Sequence, residues 1–482
     1  MSAVAIARGR TGARTRPEAH RVVVVAALGV GIYLAALDIS IVNAILPVVA
    51  DAFGTDLTAI QWVVTSYLLV QSALLLAVGR LADIWGHKRV YLLGLAIFVA
   101  SSVVCGLASS TPSLVAGRAI QAVGASLIFA SLTVILMHTF PSDERGRAIG
   151  IQATIVYVGL ATGAPVGGWL TDLFGWQSVF LVNVPIGLLA LLLGWRMAPS
   201  DIASEQREPF DLTGSVVYVL GLGLLLLGLN QGPAWGWTSA PIVGLLLLGA
   251  ALLAAWTAFE LRVSNPMIDL RLFGERTFAA PVASAFLCYT GISATFLLPF
   301  ALIQGRGLSP AQTGLILTCQ TIVMAVTASI SGSLSDRIGA RTPATVGMVL
   351  LSIGLLLLSR IDATLPIGLI VGVQVVMGLG IGLFTSPISS AILGAVAPER
   401  RGVANGVLGT ARTLGMVLGI GVAGAVYATT LGLAGDPGAE GVLRAAGAGL
   451  LVGSGVALLG AVAAALLPGV GVTTPTPEPS QP

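Results

Sequence analysis

Charge is what this sequence has least of. Asp, Glu, Lys and Arg make up 9% of its 482 residues, against roughly a quarter in an average soluble domain. Such scarcity excludes the solvated surface of a globular protein, and a formal charge of +3 leaves no basic patch of the kind nucleic acid requires. The three cysteines, Cys105, Cys288 and Cys319, lie far apart in apolar segments, which excludes a disulfide framework or a metal spacing. His20, His87 and His138 sit in tail or loop settings and point to no metal either. No glycine-rich phosphate loop is present, so neither a cofactor nor ATP is expected. What fills the chain is apolar: 56% of it is hydrophobic, and its 61 glycines and 24 prolines fall mostly inside hydrophobic runs, as membrane helices permit. These runs are continuous rather than alternating, which argues against a β-barrel. The expectation is an all-α membrane protein embedded in a lipid bilayer.

Counting runs between polar or Pro/Gly-marked turns gives fourteen spans, six within 22–195, two near 213–231 and 240–259, and six within 263–467. Residues 1–21 read as an Arg-rich tail, 196–262 as a polar linker carrying the two inserted helices, and 468–482 as a Pro-rich disordered tail. Loops assigned alternately to two sides put Arg80, Lys88, Arg89, Arg145, Arg337 and Arg401 with the Arg-rich tail, while Arg306, Arg360 and Arg444 fall opposite. That asymmetry places both termini in the cytoplasm of a plasma membrane and supports an even span count. The excess of arginine over lysine suggests a bacterial source.

The halves repeat. GRLADIWGHKR from Gly79 after the second span is echoed by GSLSDRIGAR from Gly332 after the tenth, with Asp83 matching Asp336 and Gly86 matching Gly339. ERGRAIG from Glu144 is echoed by ERRGVANG from Glu399. Both halves begin on the same side, so this is a parallel repeat, the arrangement of two six-helix halves around a midplane site.

Inside the first span stands one carboxylate, Asp38. An acid at that depth is expensive and marks either a proton or ion path or a buried packing contact. Arg118 and Gln121 lie one turn apart on the fourth span. Counting rise per residue, Arg118 is roughly 9 Å and Asp38 roughly 18 Å from the outer end, a gap a long side chain can close. Arg412, mid-span in the thirteenth helix, is the other buried charge; two arginines then face one acid, and the excess needs carbonyls, water or an anionic substrate group, a structural role in the helix contact being favoured over direct substrate binding. Gly159, Gly163 and Gly167 recur every four residues beside Pro165, a stripe suited to close helix packing with a bend. The glycines and Asp83 of the 79–89 turn suit either a contact that forms and breaks during a cycle or a tight turn that only sets topology. Tyr33, Trp62, Tyr67, Tyr157, Tyr289 and Phe384 are candidate cavity residues, with Gln121 and Arg412, although aromatic residues also favour span ends and lipid faces.

LDISIVNAILP from Leu37, GRLADIWGHKR, LVAGRAIQAVGA from Leu114, WQSVFLVNVPIG from Trp176, NPMIDLRLF from Asn265, LPFALIQGRGLSPAQTG from Leu298 and ANGVLGTARTLG from Ala404 together resemble the major facilitator superfamily, and within it the fourteen-helix drug:proton antiporter branch. The sequence departs from that pattern at Ile84, where an Arg is usual, at Ala122, where Gly is common, and at Pro165, one place later than usual. The resemblance implies the major facilitator fold, no enzymatic activity, and proton-coupled efflux of amphiphilic drugs or an antibiotic by alternating access, by a monomer that binds substrate and protons. It makes Asp38 the coupling acid and Arg118 its modulator, Gly79, Asp83, Gly86, Lys88, Arg89, Asp336 and Arg337 the gating loops, and the Gly159–Gly167 stripe an exporter motif. An importer or metabolite exporter of the same fold, and a receptor or scaffold without turnover, are the alternatives.

Overall fold

The computed structural model describes residues 18–140, 145–198, 212–262, 270–396, 401–434 and 438–467, and the regular elements among them are all helical. The long helices are α1 (Glu18–Phe53), α2 (Trp62–Trp85), α3 (His87–Gly106), α4 (Thr111–Thr139), α5 (Arg145–Phe174), α6 (Asn183–Met197), α7 (Leu212–Trp235), α8 (Ala240–Glu260), α9 (Arg276–Ile292), α10 (Pro310–Ile338), α11 (Arg341–Leu358), α12 (Ile367–Gly394), α13 (Arg401–Ala434) and α14 (Ala439–Ala465). Helices are the natural outcome of such runs, because a lipid-embedded backbone must satisfy its own amides. Among the described residues, thirteen helical spans are long and apolar enough to cross a membrane, and the shorter run Val216–Leu229 lies within α7. The ninth span is not one regular helix. After α9 it continues through a 3₁₀ turn, Ser293–Leu297, and a π turn, Ala301–Gly305. Pro299 between them has no amide to donate, which accounts for the break.

Packing follows the repeat. In the first half α1 lies on α5 and α6, α4 on α2 and α3, and α3 on α6; eight helices later, α9 lies on α13 and α14, α12 on α10 and α11, and α11 on α14. The α7–α8 hairpin stands outside both halves, with α7 touching α2 of the first and α13 of the second. The halves meet along two seams, α5 against α10 and α2 against α13.

Gly86 and Gly339, the matched glycines of the repeat, both cap a helix with positive φ, 95° and 80°. Each donates its amide to the preceding turn, at Ala82 and Ser335. A side chain is strained at such angles, so Gly86→Ala and Gly339→Ala are each expected to cost about 1–3 kcal/mol, read as a lower melting temperature of the detergent-purified protein.

Candidate functional site

A buried polar cluster lies inside the first half. Asp38 on α1 is 0% exposed and Arg118 on α4 is 1% exposed. Arg118 Nη1 donates to Asp38 Oδ2 in an ion pair. Gln121, one turn along α4, donates from Nε2 to Asp38 Oδ1 at 3.1 Å, and Asn183 at the start of α6 donates from Nδ2 to the same oxygen at 2.8 Å. The carboxylate is therefore held by three side chains from two helices.

Arg118 has other support. Its Nε donates to the Val63 carbonyl at 3.2 Å, its Nη1 to Gln121 Oε1 at 2.6 Å, and its guanidinium lies 4.2 Å from the centre of the Tyr67 ring. Gln121 Nε2 also donates to Ser102 Oγ of α3 at 2.8 Å. The Tyr67 hydroxyl and Asn183 Oδ1 are buried without a hydrogen-bond partner. An ion pair in a low-dielectric site holds only when extra hydrogen bonds complete both ions, and these do.

The opposite face of α1 meets α5. A Cβ on Gly159 would stand 2.7 Å from the Tyr33 carbonyl oxygen and one on Gly163 2.6 Å from that of Leu37. The stripe therefore seats α1, while the neighbouring face of α5 carries the seam to the second half. There Thr318 Oγ1 of α10 donates to the Ala161 carbonyl at 3.3 Å, and Gly314 and Gly168 let the backbones of α5 and α10 touch at Ala164–Pro165 and Pro310. Gln304 Nε2 reaches Asp51 Oδ1 at 2.8 Å, and the Ala311 amide donates to Asp172 Oδ2 at 3.2 Å. The contacts between the halves run from mid-helix to the end away from the Gly86 and Gly339 turns, so the α5–α10 seam is closed on that side.

Toward the other, arginine-rich end, the same faces of α1 and α5 line a cavity of about 430 Å³, walled by residues including Val25, Val30, Tyr33, Ile151, Thr154 and Val158. Tyr33 hydrogen-bonds Thr162 Oγ1 at 3.0 Å. Tyr157 and Tyr289 both lie within electrostatic reach of Arg412, whose guanidinium is 5.7 Å from the Tyr289 ring centre.

The structure thus brings Asp38 and Arg118 together, and separately Tyr157, Tyr289 and Arg412. It corrects three cavity assignments. Gln121 is 0% exposed and belongs to the Asp38 pocket, Tyr67 stacks on Arg118, and Phe384 is core. Lys88, expected in a gating loop, donates to the Ala198 carbonyl at the end of α6 within its own half. Arg89, Asp336 and Arg337 are exposed. Gly79 and Asp83 fall in α2, but their surroundings lie outside the described residues, as do both tails and most of the polar linker. Asn183 is the site residue that the sequence did not single out, although it lies within WQSVFLVNVPIG; its own signal was an amide inside an apolar run.

A Gly168→Leu wedge would drive a side chain into Pro310, whose carbonyl oxygen would lie 2.2 Å from the new Cβ. Closure of the far end is expected to fail. With the native cysteines replaced by serine, a Thr318→Cys reporter should then react about tenfold faster with an impermeant thiol reagent applied from that side, since a ~1.4 kcal/mol shift suffices.

Comparison with known proteins agrees with this architecture. Residues 28–263 and 282–482 match the profile of the Major Facilitator Superfamily. The chain is 35% identical over 403 residues to the riboflavin transporter RibZ of Clostridioides difficile (strain 630), covering 83% of this chain and 87% of that one. It is 34% identical over 413 residues to the multidrug resistance protein Stp of Mycobacterium tuberculosis (strain CDC 1551 / Oshkosh), covering 85% and 76%. A bacterial homologue of the human lysosomal transporter Spinster, in an inward-facing and unoccupied conformation, superimposes with a TM-score of 0.67 at 18% identity, covering 93% of this chain and 98% of the other.

Proposed function

The chain belongs to the Major Facilitator Superfamily and is a multi-pass membrane transporter, and from that premise we propose that it is a proton-coupled exporter of amphiphilic drugs or an antibiotic, of the fourteen-helix antiporter type. The observation that carries this reading is Asp38, an intramembrane carboxylate held by Arg118, Gln121 and Asn183. Arginine asymmetry orients the cavity mouth toward the cytoplasm. The closed far end then faces outward, and the cavity takes substrate from inside.

Coupling follows from how unequally the two ions are supported. When Asp38 is ionised, Arg118 ties α4 to α1. When a proton neutralises it, Arg118 still has the Val63 carbonyl, the Gln121 oxygen and the Tyr67 ring. The proton therefore loosens the α1–α4 tie without stranding the guanidinium. Because α1 carries the α5 stripe on its other face, loosening it bears on the α5–α10 seam. Proton entry from outside and release inside would drive the halves between two packings, each charge crossing 100 mV being worth about 2.3 kcal/mol.

The relationship to a riboflavin transporter supports a second reading, a carrier of one aromatic metabolite, with either direction of flow. Inverted vesicles separate these. With an imposed inward-acidic gradient, they are expected to accumulate members of a panel of fluorescent amphiphiles of differing charge. Accumulation only in right-side-out vesicles would make the protein an importer, and no pH-dependent flux would make it a receptor or scaffold.

A further inference from the structure

We infer that Arg412, standing beside Tyr289 of α9, centres an anion subsite, and that the transported molecule is a planar, largely apolar amphiphile bearing one acidic group, a carboxylate or an ionised phenol. This deepens the transporter reading and rests on it. The cavity wall is aliphatic, from Val25, Val30, Ile151 and Val158, and its volume of about 430 Å³ falls within the range of drug-sized sites.

Arg412 is the charged group of this region. It lies eleven residues into α13, roughly 17 Å from the arginine-rich end, and Tyr157, next in sequence to the cavity residue Val158, sits twelve residues into α5. Arg412 is partly exposed, its guanidinium stands over the Tyr289 ring, and Tyr157 of the other half lies within its electrostatic reach. Among the described residues no carboxylate pairs with it. Asp38, the acid at comparable depth, is committed to Arg118. A membrane-embedded guanidinium without a counter-charge is an incomplete site. An entering acid gains charge-assisted hydrogen bonds from its planar fork, whereas a cation is repelled.

The position is also rigid. Gly415 and Gly419, one and two turns along α13 from Arg412, press against the backbone of α9, where a Cβ would stand 2.5 Å from the Phe286 carbonyl and 2.2 Å from that of Thr290. This fixes Arg412 beside Tyr289. The tyrosine rings contributed by the two halves offer flat apolar faces, which suit an aromatic ligand. A ligand long enough to reach from Arg412 to Tyr157 would span α13 and α5, and so sense the relation between the halves.

The test is binding to the purified full chain in detergent, followed by tryptophan quenching, of three matched probes: anthracene carboxylate, anthracene methanol and aminomethyl anthracene. Wild type is expected to bind the acid about tenfold more tightly than the alcohol, the size of one charge-assisted contact, and the amine most weakly. Arg412→Gln should bring the acid down to the alcohol's affinity and leave the alcohol unchanged, which also shows that the variant is folded. Arg412→Lys should keep part of the preference. Equal binding of acid and alcohol by wild type, or an acid preference that survives Arg412→Gln, overturns the subsite. No gradient is involved, so an intact acid preference alongside failed vesicle transport defeats the export reading alone, and the converse defeats the subsite alone.

Discussion

Arg118→Met is expected to cost about 3–5 kcal/mol of stability and to strip most of the protein from the membrane. The substitution leaves the Asp38 carboxylate fully buried with only the amides of Gln121 and Asn183 to hold it. Neither amide carries charge, and the helices around them supply no water in bulk. The reverse deletion is milder, because Arg118 keeps the Val63 carbonyl, Gln121 Oε1 and the Tyr67 ring. The double variant Asp38→Asn/Arg118→Met should recover most of the lost stability, since removing both ions is far cheaper than removing one. Thermal unfolding in detergent and yield in the membrane fraction measure all three. An Arg118→Met protein that melts with wild type would show that the pair contributes nothing to the fold.

This inequality is what a proton-exchanging pair requires. Any buried ion pair needs further hydrogen bonds on both ions, and those on the cation also hold it when the acid is neutral. Here the cation has three, and the anion has none that bears charge. The orphaned Tyr67 hydroxyl beside them is a further polar group in the same pocket. The design tolerates a neutral Asp38 and not a missing Arg118.

Much of this was legible in the sequence, and what was not has physical reasons. The spans were readable because apolar runs of membrane length leave few alternatives, and the matched turns at Gly86 and Gly339 gave the repeat that the helix pairings reproduce. Asp38 and Arg118 stood out by cost alone. Their contact was less plain, because counting rise along straight helices left about 9 Å between them, and helix tilt is not written in residue spacing. Gln121 was placed in the cavity because a neutral amide one turn from an arginine can face either the neighbouring helix or the space between halves. Asn183 was passed over because a lone amide at a helix start has no periodic signature. The glycine stripe announced a close contact without naming the partner; the structure gives it to α1 and leaves the adjacent face of α5 for the second half.

Asp38→Asn is the second large effect, and it tests the coupling itself. The asparagine copies the neutral state, so the protein should reach the membrane and bind substrate, yet lose energised efflux by the full driving factor. In proteoliposomes, one pH unit supplies ~1.4 kcal/mol per proton, enough to concentrate a substrate about tenfold for each proton exchanged. Wild type should concentrate a fluorescent amphiphile against its gradient when that difference is imposed. The Asp38→Asn protein should only equalise it, while still exchanging labelled for unlabelled substrate across the bilayer. Concentration by Asp38→Asn to the wild-type level under the same pH gradient would contradict the role given to this carboxylate.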